Sequence, residues 1–275
     1  MDNKNKEFVP NLESTRQQLK HLLDIPNTFT ILLMQGDLAT QRSGICYNLL
    51  ADKKSVNVLN TGKHSEQAKI EISKHATAVE VASSEPSGRI TLGNDWQVEK
   101  TADVFHYCDA EPQEAFEFQS FPDGKIPENS VLVADMSLSL TQKQVDWSKY
   151  GVVYADATKQ FGIKDLVIVI VRSDLLGKQK ADTPSHLNWQ AYNDNPADFS
   201  KTPTTWQIYL LGINIEYLTG LGGVTEISAR ARARFDLFHS LISQSGGVFS
   251  SSVDKKFRSK SNVLFRIGQN NEALE

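Results

Sequence analysis

The chain has 275 residues, of which 40% are hydrophobic and 23% charged, and its formal net charge is −4. This composition is typical of a globular protein with one large or two small domains, and the acidic balance argues against a nucleic-acid partner. No apolar run approaches the roughly 20 residues that span a bilayer, and the start of the chain is too polar for a signal peptide. We therefore expect a cytoplasmic protein with no membrane partner.

Apolar patterning predicts alternating helices and strands over the first two thirds of the chain. The predicted order is a helix over 11–24, a strand over 28–34, a helix over 38–50, a strand over 56–59, a helix over 63–75, and strands near 78–82, 103–107, 130–135, 151–155 and 166–171. The last run has no polar face, which is typical of a strand covered on both sides. The alternation predicts an α/β fold with a mostly parallel sheet sandwiched by helices.

The last third of the chain has a different pattern. The polar stretch 178–203 contains three prolines and is predicted to be a long ordered loop. Helices are predicted near 204–219 and 224–244, followed by a strand over 263–267. Arg230, Arg232 and Arg234 alternate along the second helix, so we expect them on a solvated face.

Asp135 and Lys159 form the most informative pair in the chain. Asp135 ends an apolar strand, and Lys159 follows the next strand 24 residues later (159 − 135). A lysine that forms a Schiff base and a carboxylate that pairs with a protonated pyridine nitrogen are the two protein groups that pyridoxal phosphate chemistry needs. The spacing alone is a weak signal, and a surface lysine is the alternative.

No other chemistry stands out in the sequence. The six histidines and two cysteines lack metal-ligand spacing, and no phosphate-binding or dinucleotide fingerprint is present. We expect Cys46 and Cys108 to be small buried apolar residues.

Several segments resemble one family closely. Asp146 to Ala155 follows the pattern D-x-S-K-[FY]-G-x-x-Y-A, and the segments 169–177 and 258–263 also match family sequence. On these residues the chain resembles the phosphoserine aminotransferases, which are fold-type-I pyridoxal phosphate enzymes. The resemblance implies a large domain over 1–220 of the pyridoxal-phosphate transferase type. It further implies a linking helix and a remnant of a truncated small domain over 221–275.

The resemblance also implies roles for individual residues. Lys159 would be the catalytic Schiff-base lysine, and Asp135 would be the partner of the pyridine nitrogen. The other implied cofactor contacts are Gly36 in the phosphate loop, His64 at the ring-stacking position, Thr158 before the lysine, and Lys201 and Thr202, which would reach the phosphate of a partner subunit in a homodimer. Asp37 stands where the family has a second glycine, and its carboxylate would repel a phosphate unless it points to solvent.

Two hypotheses about activity follow from the resemblance. The family exchanges amino groups between phosphoserine with 2-oxoglutarate and 3-phosphohydroxypyruvate with glutamate. The groups that grip the substrate anions in the family have no counterpart here except Lys4, and lysine lacks the planar fork of arginine. We therefore favour a degenerate relative that binds pyridoxal phosphate weakly and has little or no transaminase activity. The alternative is an active phosphoserine:2-oxoglutarate aminotransferase that acts on small amino and keto acids.

Overall fold

The computed structural model describes residues 6–50, 55–83, 96–121, 123–196 and 204–268. The helices within these ranges are α1 (Phe8–Leu22), α2 (Leu38–Leu49), α3 (Lys63–Ser73), α4 (Ala157–Phe161), α5 (Trp189–Asp194), α6 (Thr205–Gly220) and α7 (Gly223–Gln244). The strands are β1 (Phe29–Gln35), β2 (Ser55–Asn60), β3 (Thr77–Ser83), β4 (Val104–Cys108), β5 (Ala110–Glu111), β6 (Phe116–Glu117), β7 (Val131–Asp135), β8 (Val152–Asp156), β9 (Leu166–Arg172), β10 (Phe249–Ser250) and β11 (Arg266–Ile267).

Seven strands form the central sheet in the order β1-β9-β8-β7-β4-β2-β3. The four neighbouring pairs from β8 to β3 are parallel. Strand β9 is antiparallel to both of its neighbours, β1 and β8. Six of the seven strands therefore point the same way, and the prediction of a mostly parallel α/β sheet is confirmed.

The apolar strands are buried on both faces, as their unbroken hydrophobic runs predict. In β9 the first six residues are buried, and successive residues contribute to opposite cores. One core packs the sheet against α1 and α6 through residues such as Leu19 and Leu211. The other core packs it against α2 and α5 through Ile45 and Trp189. The sheet is thus sandwiched between helices.

The structure corrects several sequence predictions outside the central sheet. The stretch predicted as a loop over 178–203 contains helix α5, because the Asn188 side chain caps it and Trp189 and Tyr192 anchor it in the core. The strand predicted over 263–267 is reduced to Arg266–Ile267 in a two-residue ladder with β10. The short β5–β6 ladder was not predicted.

Other sequence predictions are confirmed. Arg230, Arg232 and Arg234 are exposed, and the first two pair with acids on the same helix. Cys46 and Cys108 are buried free thiols. The boundary near residue 220 stays a prediction, and the turn between α6 and α7 lies there, with Gly222 and Gly223 at φ of +107° and +66°.

No helix in the described part of the chain is both long enough and apolar enough to cross a membrane. Among the same residues, no group of three or more His, Cys, Asp or Glu side chains is arranged to hold a metal ion.

Candidate functional site

The candidate site lies at the carboxyl edge of the sheet. Strands β1, β2, β7 and β8 point the same way and end at Gln35, Asn60, Asp135 and Asp156. Because the carboxyl ends of such strands open onto one crevice, this edge is where open α/β sheets bind ligands. Short loops after β1 and β2 lead into helices α2 and α3, and helix α4 begins directly after β8.

Asp135 is buried and held in place at the end of β7. Its side chain is only 3% exposed. Its Oδ1 accepts hydrogen bonds from the backbone N–H of Ser137 at 3.1 Å and from the Ser137 hydroxyl at 2.5 Å. The Ser137 Oγ in turn accepts the N–H of Asp156 at 3.0 Å, which ties the end of β7 to the end of β8. The carboxylate therefore has one fixed orientation.

The second oxygen of Asp135 faces an arginine. Arg42, on α2, is 4% exposed, and its Nη2 lies 3.5 Å from Asp135 Oδ2. Neither of these two atoms has a hydrogen-bond partner among the described residues. Two opposite unit charges at this distance attract each other by about 5 kcal/mol at an effective dielectric constant near 20, before the cost of desolvation. Arg42 thus supplies the positive charge that buried Asp135 requires.

The groups around this ion pair are uncharged at neutral pH. His106 Nε2 lies 2.8 Å from the Tyr154 hydroxyl, and both residues are buried. Burial, followed by the charge of Arg42, lowers the pKa of His106 to about 3. Burial, followed by the charge of Asp135, raises the pKa of Cys108 well above its ordinary value. The imidazole and the thiol therefore stay neutral, and Arg42 and Asp135 carry the local charge.

A carboxylate in the loop between β1 and α2 caps the start of α2. Asp37 is the N-cap of α2, and its Oδ1 accepts the backbone N–H of Thr40 at 2.9 Å and the Thr40 hydroxyl at 3.0 Å. These hydrogen bonds, the backbone one first, lower the pKa of Asp37 despite partial burial. Gly36 precedes it with φ of +133°, and a Cβ there would lie 2.8 Å from Thr40 Oγ1. The turn therefore requires glycine at position 36.

A second carboxylate closes the start of α3. Glu111 is fully buried, and it accepts the backbone N–H groups of His64 and Ser65 at 2.8 and 2.9 Å and the Ser65 hydroxyl at 2.6 Å. Burial raises the pKa of Glu111 to about 7, and the hydrogen bonds from Ser65 and His64 oppose that rise. The first-turn amides of α3 are thus satisfied from within the chain.

The His64 ring stands where the charges of the crevice meet. The imidazole is half-buried, and burial lowers its pKa. The charges of Asp135 and Glu114 oppose that shift, and those of Arg42 and Lys159 add to it. His64 lies at the start of α3, Asp135 at the end of β7, and Lys159 in the helix that follows β8, so all three belong to the carboxyl edge of the sheet. Their roles toward a cofactor stay predictions.

The remaining predicted site residues are less clearly placed. Lys159 is exposed in α4, the short helix that begins directly after β8. Thr158 is also exposed, and its hydroxyl lies 3.5 Å from the carbonyl oxygen of Ile163 in its own turn. Lys201 and Thr202 lie outside the described residues, so their predicted contacts stay predictions.

Sequence reasoning missed Arg42 and Glu111. Helix α2 is buried along most of its length, so no amphipathic pattern distinguishes the position of Arg42 from a solvated one. A lone arginine amid Ser43, Gly44 and Ile45 was the available signal. Glu111 lies in the two-residue strand β5 and precedes a proline, a sequence context that gives no indication of burial.

The comparisons with known proteins agree with this fold. The family described as Aminotransferase class-V matches residues 1–274, so the chain is a class-V aminotransferase by family. The phosphoserine aminotransferase of Chromobacterium violaceum is 34% identical over 279 aligned residues, which cover 100% of this chain and 75% of that protein. Its counterpart in Drosophila melanogaster is 33% identical and covers 100% of this chain and 76% of its own length. The chain belongs to the phosphoserine aminotransferase family.

Solved structures support the same assignment. The pyridoxal-phosphate-bound phosphoserine aminotransferase of Trichomonas vaginalis superimposes with a TM-score of 0.89 at 26% identity, and the match covers 97% of this chain and 74% of that one. The enzyme of Bacillus circulans subsp. alkalophilus gives a TM-score of 0.90 at 28% identity, with coverage of 98% and 74%. The present chain thus spans about three quarters of the length of these relatives.

Proposed function

We propose that this chain is a member of the phosphoserine aminotransferase family with little or no transaminase activity, and that it serves as a binding protein. The observation that carries the proposal is the buried guanidinium of Arg42, 3.5 Å from Asp135. In the family resemblance, Asp135 is the carboxylate that faces a protonated pyridine nitrogen. Because Arg42 already neutralises Asp135, a second cation in this buried position would meet an uncompensated like charge.

The phosphate end of the crevice supports the same conclusion. Backbone amides at the start of a helix bind phosphate when they are free to donate. Here the Thr40 N–H at the start of α2 already donates a hydrogen bond to the Asp37 carboxylate. A phosphate dianion would have to displace this carboxylate and would then be repelled by it.

The charges at the two ends of the crevice therefore do not fit pyridoxal phosphate. Asp37 places negative charge where the phosphate would bind, and Arg42 places positive charge where the pyridinium would bind. We propose that any binding of this cofactor is weak, and that the crevice no longer supports efficient amino-group transfer.

A spectroscopic titration tests the proposal. We expect full-length protein mixed with one equivalent of pyridoxal phosphate to show no visible band of lysine-bound cofactor, and to give the same spectrum as Lys159→Ala. A band in the wild-type protein that Lys159→Ala loses would overturn the proposal.

A second variant tests whether the two charges are the obstacle. Asp37→Gly/Arg42→Met removes both and is expected to bind the cofactor more tightly than wild-type protein. The comparison variant Glu226→Gln/Arg230→Met removes one acid and one arginine from an exposed pair on α7. Equal binding by all three proteins would remove the physical basis of the proposal.

The alternative is an active phosphoserine:2-oxoglutarate aminotransferase that uses Lys159 as its Schiff-base lysine. One observation favours it, namely that Asp135 ends β7 and Lys159 follows the neighbouring parallel strand β8 at the same edge of the sheet. Amino transfer from phosphoserine to 2-oxoglutarate that is lost in Lys159→Ala would establish this alternative.

We propose that the chain forms a homodimer, as the family resemblance implies. Helix α6 has three exposed apolar side chains on one side, Trp206, Ile213 and Tyr217, with exposed fractions of 57%, 44% and 65%. Their spacing of seven and four residues forms a continuous stripe. Sedimentation is expected to show a dimer that Trp206→Ser/Tyr217→Ser weakens and that Ile70→Ser, an exposed change on α3, does not. A wild-type monomer at all concentrations would contradict the proposal.

A further inference from the structure

A second cleft lies away from the carboxyl edge of the sheet, between α7 and the segment that follows β10. Its volume is about 420 Å³. It is lined by Gln119, Arg232, Phe235, His239, Ser240, Ser243, Lys255, Lys256, Arg258 and Lys260. We call it the basic cleft. It shares no lining residue with the crevice around Asp135.

The lining of the basic cleft has one sign of charge. Five of its residues are lysine or arginine, and none of the described lining residues is Asp or Glu. This concentration occurs in a chain whose net charge is −4. Like charges gathered around a concave surface repel one another and focus a positive potential into the cleft. An anion bound inside would relieve that repulsion.

The acids near the basic cleft compensate it only in part. Arg232 pairs with Asp236 at 3.0 Å on α7, and Lys260 Nζ lies 4.0 Å from the buried Glu117. The ion pairs among the described residues do not include Lys255 or Lys256, which are both exposed. These two ammonium groups are therefore available to a ligand.

Arg258 is held in place before any ligand arrives. Its Nε donates to the carbonyl oxygen of Val253 at 3.0 Å, and its Nη1 lies 3.0 Å from His239 Nδ1. Burial and then the charge of Arg258 lower the pKa of His239, so the imidazole is neutral and its Nδ1 accepts from the guanidinium. A guanidinium fixed in this way loses little freedom when it binds an anion.

One wall of the basic cleft is aromatic. The rings of Phe235 and His239 lie 4.4 Å apart, and the Arg232 guanidinium lies 5.3 Å from the Phe235 centroid. The cleft thus combines several cationic donors with a flat, partly apolar surface. A volume of this size falls in the range of roughly 300–1,000 Å³ that is usual for small-molecule sites.

We propose that the basic cleft binds a small organic phosphate that carries at least two negative charges. Arg258 and the two adjacent lysines would hold the phosphate, because charge-assisted hydrogen bonds to phosphate are the strongest contacts this lining can make. The aromatic wall would receive the organic part. The proposal does not depend on the activity of the crevice around Asp135.

Calorimetric titration of full-length protein with inorganic pyrophosphate tests the site. Wild-type protein is expected to bind one equivalent per chain at physiological ionic strength, and orthophosphate more weakly. The charge reversal Lys255→Glu/Lys256→Glu is expected to weaken pyrophosphate binding about tenfold or more. Both side chains are exposed, so the folded state should tolerate the change.

A matched variant separates this site from general surface charge. Lys100→Glu/Lys178→Glu makes the same charge change at two exposed lysines that do not line the cleft, and is expected to bind pyrophosphate like wild-type protein. The proposal is overturned if wild-type protein does not bind pyrophosphate or if both double variants lose binding equally. It also fails if a single-stranded oligonucleotide binds while pyrophosphate does not, since the face would then recognise a polymer.

Discussion

The crevice at the carboxyl edge of the sheet and the basic cleft beside α7 both concentrate charge, but they differ in how that charge is compensated. In the crevice, Asp135 faces Arg42, and Asp37 faces the backbone amide of Thr40. In the basic cleft, Lys255 and Lys256 enter no ion pair among the described residues. The first region satisfies its charges from within the chain, whereas the second leaves them for a ligand.

Burial explains the contrast. A charge that is almost wholly removed from water costs several kcal/mol unless an opposite charge lies beside it. Exposed charges lose little solvation, so they can remain unpaired until a ligand binds. We therefore propose that a crevice whose buried charges are already paired binds a charged cofactor weakly, whereas an exposed cluster of unpaired charges can bind an anion. The following predictions test this contrast from the largest expected effect to the smallest.

Arg42→Met is expected to have the largest effect on stability. It leaves the Asp135 carboxylate buried without a cation, and the free energy of unfolding should fall by about 3–5 kcal/mol. Urea denaturation monitored by circular dichroism measures the change. The double variant Arg42→Met/Asp135→Leu removes both charges and should recover most of the loss. If the double variant loses as much stability as Arg42→Met alone, or more, the two residues do not act as a pair.

Glu111 is expected to make stability depend on pH near neutrality. Its folded pKa of about 7 lies above its ordinary value of 4.5, so its contribution is fully present below about pH 4.5 and is lost as pH rises through about 7. The loss should approach about 3 kcal/mol. Denaturation across this pH window is expected to show the slope in wild-type protein and in the exposed control Glu128→Gln. A slope that persists in Glu111→Gln would contradict the assignment.

Asp37→Ala should lower stability by about 1 kcal/mol, because the start of α2 loses its cap. The folded pKa of Asp37 is lowered below 3.8, so the capping carboxylate stabilises the protein above that pH, and its contribution is lost as pH falls through the folded pKa. The gap between the thermal midpoints of wild-type protein and variant should therefore narrow in acid. Asp37→Asn keeps an acceptor and is expected to lose less. A gap that widens in acid would rule out this role.

Lys256→Ala is expected to have the smallest effect, within about 0.5 kcal/mol, because the side chain is exposed. Removing one of five like charges should if anything stabilise the free protein slightly. In pyrophosphate the order should reverse, with wild-type protein gaining more thermal stability than the variant. An identical gain in thermal stability in both proteins would show that pyrophosphate binds away from Lys256.

The sequence predictions succeeded where a structural feature depends on neighbouring residues in the chain, and failed where it depends on contacts with distant residues. The continuous apolar run of β9 predicts a strand covered on both faces, because few other environments accept six apolar residues in succession. Helix α5 was missed because its stability comes from burial of Trp189 and Tyr192 against distant strands. The strand near 263–267 was overextended, since a β-type pattern forms a ladder only where a partner strand lies beside it.

The same distinction applies to the candidate site. The positions of Asp135 and Lys159 could be predicted, because each lies at the end of a strand or just beyond it, and strand ends meet along one edge of a sheet. The role of Arg42 could not be predicted, because it depends on the Asp135 carboxylate, which lies 3.5 Å away across the packed interface between α2 and β7. The basic cleft also escaped sequence reasoning, since Arg232 lies on α7 and the other four cations follow after β10.

The order of apolar runs and turns was enough to specify the α/β architecture and a mostly parallel sheet, because these follow from hydrogen bonding and burial along the chain. The pairing of charges depended on tertiary contacts. Electrostatic energy depends on separation and on exclusion from water, and folding alone sets both for residues far apart in sequence. For this reason Arg42 and Asp135 neutralise each other, whereas Lys255 and Lys256 of the basic cleft enter no ion pair among the described residues.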